Sequence, residues 1–446
     1  MNSLEHSHHS FLRTPFRFNL LAFLVGIVSS QTIELAGTLK AGELLAFVYL
    51  LFIDKKTAIS KVPSPIFLSA IAWAVAQLFS DVVNESNPLD AIKGIASPLV
   101  LLITLVGLIS YLTRSSSRLP SFLLGLPLGD LAELFLRPRG YFAEGQNSWK
   151  WGYSGVVATL ALVIYSFIIE PKLRPSLKIS ISDLFYLAVL ILLTVISLGN
   201  ESRSALINPL LFVAYLLLRI GKLERFIGFI NYISQKTIFK PLVLVVSAFL
   251  MLNIAVSALF QNSLVLSLMP EVIQLKTLQQ SDNRWGLLFG GRSEIAPSIV
   301  AFLDKPLLGH GSFAKDPTGA YTTLQYDFIN QSGQVANYGY LDYIMRSTVE
   351  LRVPTHSYLF AGLVWAGIAG GAFWIIVLTY VIRTLLDNYQ ILTYYFFEGG
   401  YVLVWSIFFS PFGYTSRFST AIFMAALISA VWLSKKINPL AKKMPY

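Results

Sequence analysis

Apolar residues in this chain come in long blocks. A helix needs about 20 mostly apolar residues to cross a hydrocarbon core. Such blocks are centred near Leu24, Phe47, Trp73, Leu105, Leu126, Leu160, Val189, Phe212, Phe249, Ile368, Leu403 and Leu427. Two are weak: "GELLAFVYLLFID" is short, and "SFLLGLPLGDLAELFL" carries Asp130 and Glu133. The pattern predicts an all-α polytopic membrane protein with about 12 transmembrane helices. It divides the chain into a polar cytoplasmic tail (1–15), an N-terminal transmembrane bundle of about nine helices (16–262) and a long extracytoplasmic loop (263–355). C-terminal transmembrane helices (356–434) and a basic cytoplasmic tail (435–446) follow. The first apolar run, near Phe16, lacks a convincing small-residue cleavage site and reads as a span. The tail "LEHSHHS" could bind a metal but reads as a disordered terminus.

The long loop carries a helical signal of its own. Ile295, Ile299, Phe302 and Leu303 follow i, i+4, i+7, i+8 spacing, which predicts one apolar face. Ser293 is the expected N-cap, and Pro297 is tolerable within the first turn. Such a helix is expected to lie on the membrane or on the bundle.

Charge fixes an orientation. With a cytoplasmic N-terminus, more than half of the 34 lysines and arginines fall in inside segments, including Lys55, Lys56, Lys61, Arg114, Arg118, Arg219, Lys435 and Lys436. This asymmetry places both termini inside. It also accounts for much of the +10 net charge without nucleic acid. Hydrophobic residues make up 55% and charged residues 13%, against about a quarter charged in soluble domains. Cysteine is absent, which excludes disulfides, thiolate metal sites and cysteine nucleophiles.

On this map Asp81, Glu85, Arg203, Arg292, His310, His356 and Arg417 gather near the outer face. Ionisable groups at such positions are costly and point to function, although a lone arginine there can simply snorkel to lipid phosphates. Arg203 lies in a very short turn, "SLGNESRSALINPLL". Arg292 follows two glycines and precedes the predicted helix, a setting that suits an anion as well as a surface loop. His356 begins a span in "RVPTHSYLFAGLVWAGIAGG", where it could be structural or could accept a proton from a hydroxyl. His310, between Gly309 and Gly311, reads as part of a tight turn. The histidines and carboxylates have no recognisable metal-ligand spacing, and no P-loop or nucleophile elbow is present.

The segments "GGRSEIAPSIVAFLDKPLLGHGSF" and "THSYLFAGLVWAGIAGG" together resemble the core of the O-antigen ligase and polymerase superfamily. So do "WAVAQLFSDVVNESNPLDAIKG", "SWKWGYSG", "LGNESRSALINPLL" and "SPFGYTSRFS". The likeness covers most of residues 15–435 and is most specific from Gly290 to Gly371. One departure is Ser357, where family members often carry asparagine.

The resemblance implies a metal-independent glycosyltransferase of the bacterial plasma membrane, with its active site on the extracytoplasmic face. It implies no cofactor and no nucleic acid. The donor would be a glycan on undecaprenyl diphosphate. The acceptor would be a glycan or a lipid-linked sugar, and membrane lipids and a chain-length regulator would be further partners. Arg203 and Arg292 would correspond to the family's phosphate-gripping arginines and His356 to its catalytic base. Arg417, Asp81 and His310 would be supporting residues. Repeat-unit polymerisation is the favoured expectation, because the segment "GAYTTLQYDFINQSGQVANYGYLDY" could hold a growing chain. Ligation to lipid A core or protein is the alternative. A solute transporter is the rival of another class, but the sequence lacks clear paired, Gly/Pro-broken half-helices or inverted repeats.

Overall fold

The computed structural model describes residues 16–34, 37–136, 149–173, 178–200, 207–220, 292–331 and 351–437, with Ala205, Ser267 and Gln274. Most of these are helical. α1 (Leu20–Ser29) passes through an antiparallel hairpin, β1 (Thr32–Glu34) and β2 (Thr38–Lys40), into α2 (Ala41–Leu51) and α3 (Lys55–Ile59). Three long helices follow: α4 (Ser64–Val83), α5 (Pro88–Leu112) and α6 (Arg118–Leu136). α7 (Ser154–Ile164) is flanked by π turns and runs on into α8 (Glu170–Leu173); α9 (Ile181–Gly199) and α10 (Ile207–Arg219) come next. The loop region supplies α11 (Ile295–Asp304) and α12 (Ala320–Gln331), and α13 (Tyr358–Asp387), α14 (Tyr394–Phe409) and α15 (Tyr414–Ile437) end the described chain.

Six helices among the described residues are long and apolar enough to cross a membrane: α4, α5, α6, α9, α13 and α15. They carry the expected centres Trp73, Leu105, Leu126, Val189, Ile368 and Leu427. Of about 12 expected spans, these six are present at full length among the described residues. Leu24, Phe47, Phe212 and Leu403 sit on helices shorter than the roughly 17 residues a crossing needs, and Leu160 sits on α7, whose α-helical part is short but which continues through π turns on both sides. Phe249 lies outside the described residues, as do most of 263–291 and all of 332–350.

The block that looked weak because of Asp130 and Glu133 is instead the full 19-residue α6. The buried carboxylate, Glu133, is paired within the protein. Lys40 Nζ donates to Glu133 Oε2 at 2.8 Å and to the Ser30 carbonyl at 2.5 Å, and the Thr32 amide donates to Glu133 Oε1 at 2.7 Å. Paired and hydrogen-bonded charges are the form in which burial is tolerable. α6 also lies tightly on α1: a Cβ on Gly26 would stand 2.3 Å from the Phe122 carbonyl oxygen, and one on Gly125 would stand 2.1 Å from that of Phe23. Such small-residue contacts let apolar helices approach where hydrophobic driving force is weak.

The feature that places the site is α13, which is broken. Ala366 (φ −125°, ψ 17°) and Gly367 (φ 60°, ψ −148°) are non-helical. Gly367 takes a left-handed φ that disfavours a side chain. The break reverses the chain direction. Gly362 and Gly370 are two turns apart in sequence, yet a Cβ on Gly370 would lie 2.2 Å from the Gly362 carbonyl oxygen. Tyr358 packs on Trp374 with ring centroids 4.9 Å apart. The first part of α13 is therefore a half-helix folded back on residues 368–387, which are still about 20 in number, the length of a crossing. Trp73 of α4 seals this hairpin against Phe373, Trp374 and Phe412.

Candidate active site at the folded-back helix

A break in an apolar helix leaves backbone groups without partners, and these must be satisfied inside the protein. The segment after α11 does this. The His310 amide donates to the Val364 carbonyl at 2.7 Å and the Gly311 amide to Trp365 at 3.2 Å, while the Ile368 amide donates to Pro306 at 2.9 Å. Gly309 and Gly311 take φ of 75° and 85° to make the approach. The "PLLGHG" stretch is thus a plug for the broken helix.

Asp81 holds the plug in place. Its carboxylate accepts the Ser312 amide at 2.6 Å and the Ser312 hydroxyl at 2.7 Å, and Gln77 and Ser80 add bonds to Ser312 and the Trp365 carbonyl. Asn84 bonds the Gly309 carbonyl at 3.1 Å and Lys305 at 2.6 Å. Glu85 turns the chain from α4 to α5 at φ 49°. Asp81, expected to support the site, is buried in this clamp.

His310 is a second pin. Its Nε2 lies 2.7 Å from the Ala301 carbonyl, which can only accept, so Nε2 carries the hydrogen. Burial pushes its pKa down, with Lys305 adding to the fall while the Ala301 bond and Asp304 oppose it. Its ring meets Tyr321 edge-on.

His356 sits at the base of the half-helix, and its backbone is fixed on both sides. On one side, the Val353 amide donates to the Ala314 carbonyl at 2.9 Å, and the Ser298 hydroxyl bonds to the Pro354 carbonyl at 2.7 Å. On the other, Ser357 caps the half-helix by accepting the Phe360 amide at 3.1 Å, and its hydroxyl donates to the Ile407 carbonyl at 2.7 Å. The imidazole is half-buried and interacts with two charges from the start of α11. Burial pushes its pKa down, Glu294 opposes the fall and Arg292 reinforces it. Burial also lowers the Arg292 pKa, with Glu294 acting against it; a guanidinium remains a cation in any case. One Glu294 oxygen, Oε2, is buried and accepts no hydrogen bond among the described residues.

The structure therefore brings His356 and Arg292 together, and adds Glu294. His310 is at the other end of α11, against Ala301, while Arg292 and Glu294 precede its first turn. Arg417 is spent elsewhere: its Nε and Nη2 grip Glu43 at 2.7 and 2.9 Å in a buried fork that joins α15 to α2. Arg203 lies outside the described residues.

α11 itself differs from the expectation. Glu294, not Ser293, is the residue before its first turn, and no side chain caps it; Ser293 Oγ instead accepts from Gln325 of α12 at 2.9 Å. The face that packs is Pro297, Ser298 and Ala301, which fit against the half-helix, while Ile299 and Leu303 are exposed. Small residues let α11 lie close to the hairpin, and its bulky apolar face points away from the protein.

Glu294 escaped attention in the sequence, although it stands two residues after Arg292 in "GGRSEI". A charged residue in a loop carries no mark of being buried.

These features define an α-helical protein whose long apolar helices are compatible with a membrane, with a half-buried histidine, cation and carboxylate held beneath a folded-back helix. Comparison with protein-family models, curated proteins and solved structures finds no match to this chain.

Proposed function

We propose that this chain is a glycosyltransferase of the bacterial plasma membrane that moves a glycan from undecaprenyl diphosphate to a sugar hydroxyl. The observation that carries the proposal is that the Ser298–Pro354 bond holds the start of α11 beside His356, where the charges of Arg292 and Glu294 act on a half-buried imidazole. A lowered pKa leaves His356 neutral near pH 7, the form a general base requires. In the proposed reaction the acceptor oxygen attacks the anomeric carbon and gives its proton to His356. The bond from that carbon to the diphosphate oxygen breaks, and the leaving diphosphate carries the negative charge. Arg292, with Arg203 by resemblance, would stabilise that charge. On this reading the site faces the extracytoplasmic side and both termini are cytoplasmic, as the distribution of basic residues supports.

Repeat-unit polymerisation is the form we favour. α12 opens the Tyr-, Asn- and Gln-rich segment, and Gln325 ties it to Ser293, the neighbour of Arg292. A growing glycan could lie there. Ligation to lipid A core uses the same chemistry with another acceptor. For transport, α13 is the one discontinuous membrane-length helix among the described residues, but its freed carbonyls are taken by the plug.

The test uses purified protein in detergent with an undecaprenyl-diphosphate oligosaccharide and no added metal or nucleotide. Products are followed by gel and mass spectrometry for wild type, His356→Ala, Arg292→Ala and Arg203→Ala. Multimers that vanish in the variants support polymerisation. Transfer only on adding lipid A core identifies a ligase. Uptake of solute into vesicles without any glycan product points to transport.

A further inference from the structure

A cavity of about 310 Å³ lies between α7, α9, α10 and α14. It falls at the lower end of the roughly 300–1,000 Å³ of small-ligand sites. It is at the same end of the bundle as His356. Ser406 and Ser410 of its wall flank Ile407, the residue that receives the Ser357 hydroxyl.

The lining has a definite chemistry. Thr194, Ser197, Asn208 and Ser406 present hydroxyl and amide groups, and no charged side chain lines it among the described residues. Tyr401 and Trp405 are one turn apart on α14, so they share a helix face. Their rings lie 6.3 Å apart at 38°. A diphosphate needs cations, and none lines this wall among the described residues. A polyprenyl or acyl chain suits a wholly apolar groove, and this wall carries hydroxyl and amide groups, of which the Thr194 hydroxyl already donates to the Ala205 carbonyl at 3.1 Å. Flat aromatic faces beside neutral donors and acceptors match a sugar ring, which has an apolar face and a rim of hydroxyls.

We propose that this cavity is a saccharide site that seats one sugar unit of the acceptor glycan next to His356. The acceptor role rests on the glycosyltransferase reading; the binding of a neutral sugar does not.

The chain has no cysteine, so one introduced thiol reports on the cavity alone. Ser154→Cys places a thiol on its wall, and Lys56→Cys places one at an exposed position outside it. Maleimide labelling rates of the detergent-purified full chain are measured with methyl glycosides of glucose, galactose and N-acetylglucosamine, and with farnesyl phosphate. The expected result is that at least one glycoside slows labelling of Ser154→Cys several-fold and leaves Lys56→Cys unchanged. Adding Trp405→Ala to Ser154→Cys should abolish that protection. The proposal is overturned if no glycoside protects, or if farnesyl phosphate protects and the glycosides do not. Protection in a protein that builds no glycan from the lipid-linked donor would keep the sugar site and sink the transfer reading. Transfer without protection would do the reverse.

Discussion

The hydroxyl of Ser357 donates to the carbonyl of Ile407 at 2.7 Å, so the residue after His356 is fastened to the end of α14. The same oxygen caps the half-helix through Phe360. His356 therefore inherits its position from two elements remote in sequence. Ser357→Ala removes both bonds and leaves a buried carbonyl without its partner, at a cost of about 1–3 kcal/mol. The expected effect on transfer is larger than on folding, because a small misplacement of a catalytic group can cost about 100-fold in rate. Asparagine keeps an acceptor for the cap and a donor for Ile407. Ser357→Asn should thus retain most of the kcat that Ser357→Ala loses, with both variants folded by thermal melt. Equal losses in the two would refute the tether.

The hairpin in α13 depends on backbone contact between Gly362 and Gly370. Gly370→Ala puts a Cβ 2.2 Å from the Gly362 carbonyl oxygen, closer than real atoms approach. The two limbs must splay, which typically costs about 1–3 kcal/mol in a packed core. A drop of several degrees in melting temperature is expected, with loss of glycan transfer. Gly413→Ala is the control, since a Cβ there meets nothing within 4 Å. Indistinguishable melts for the two variants would contradict the folded-back arrangement.

Arg417 separates a structural role from a chemical one. Removing it leaves Glu43 buried and unpaired, and breaking such a pair costs about 3–5 kcal/mol. Arg417→Met should therefore express poorly or melt early. Replacing both partners, Arg417→Met with Glu43→Gln, should restore much of the stability and, with it, the activity. An arginine that met the diphosphate would not be rescued in this way. Transfer that stays absent in a stable double variant would return Arg417 to the site.

The six long helices were legible because twenty apolar residues in a row leave few alternatives. His356 and Arg292 were legible as rare ionisable groups near apolar blocks. The folding-back of α13 was not. "WAGIAGG" reads as an unbroken apolar run, and only a left-handed Gly367 with a partner for each freed carbonyl turns it into a hairpin. Those partners come from "PLLGHG", some fifty residues upstream. The pairing of Arg417 was hidden for the same reason: its partner Glu43 lies 374 positions away, and no local pattern joins them. The α11 pattern failed more locally. Small residues, not large ones, chose the packed face, and hydropathy gives small residues little weight. The Glu294 side chain stands out only once its burial and its interaction with His356 are known.

The His356 environment sets a pH signature with a definite sign. Its pKa is below the ordinary 6.5, because burial dominates, with Arg292 on the same side and Glu294 opposed. As the proposed base it must be neutral, so the rate should fall on the acid side, with a midpoint below 6.5. Glu294→Gln removes the charge that favours the imidazolium, and the acid limb should move to lower pH. Arg292→Gln removes the charge that opposes it, and the limb should move up, beside the loss of rate from the missing cation. Stability follows the same linkage. A histidine whose folded pKa is depressed contributes stability that is present above the unfolded value and lost as pH falls through the folded one. His310 is lowered too, so the melting temperature should decline from pH 7 towards pH 5. The profiles of kcat/KM against pH for the three proteins decide the matter. Shifts in opposite directions would place His356 between Glu294 and Arg292 as the titrating base, and superimposable profiles would remove it from that role.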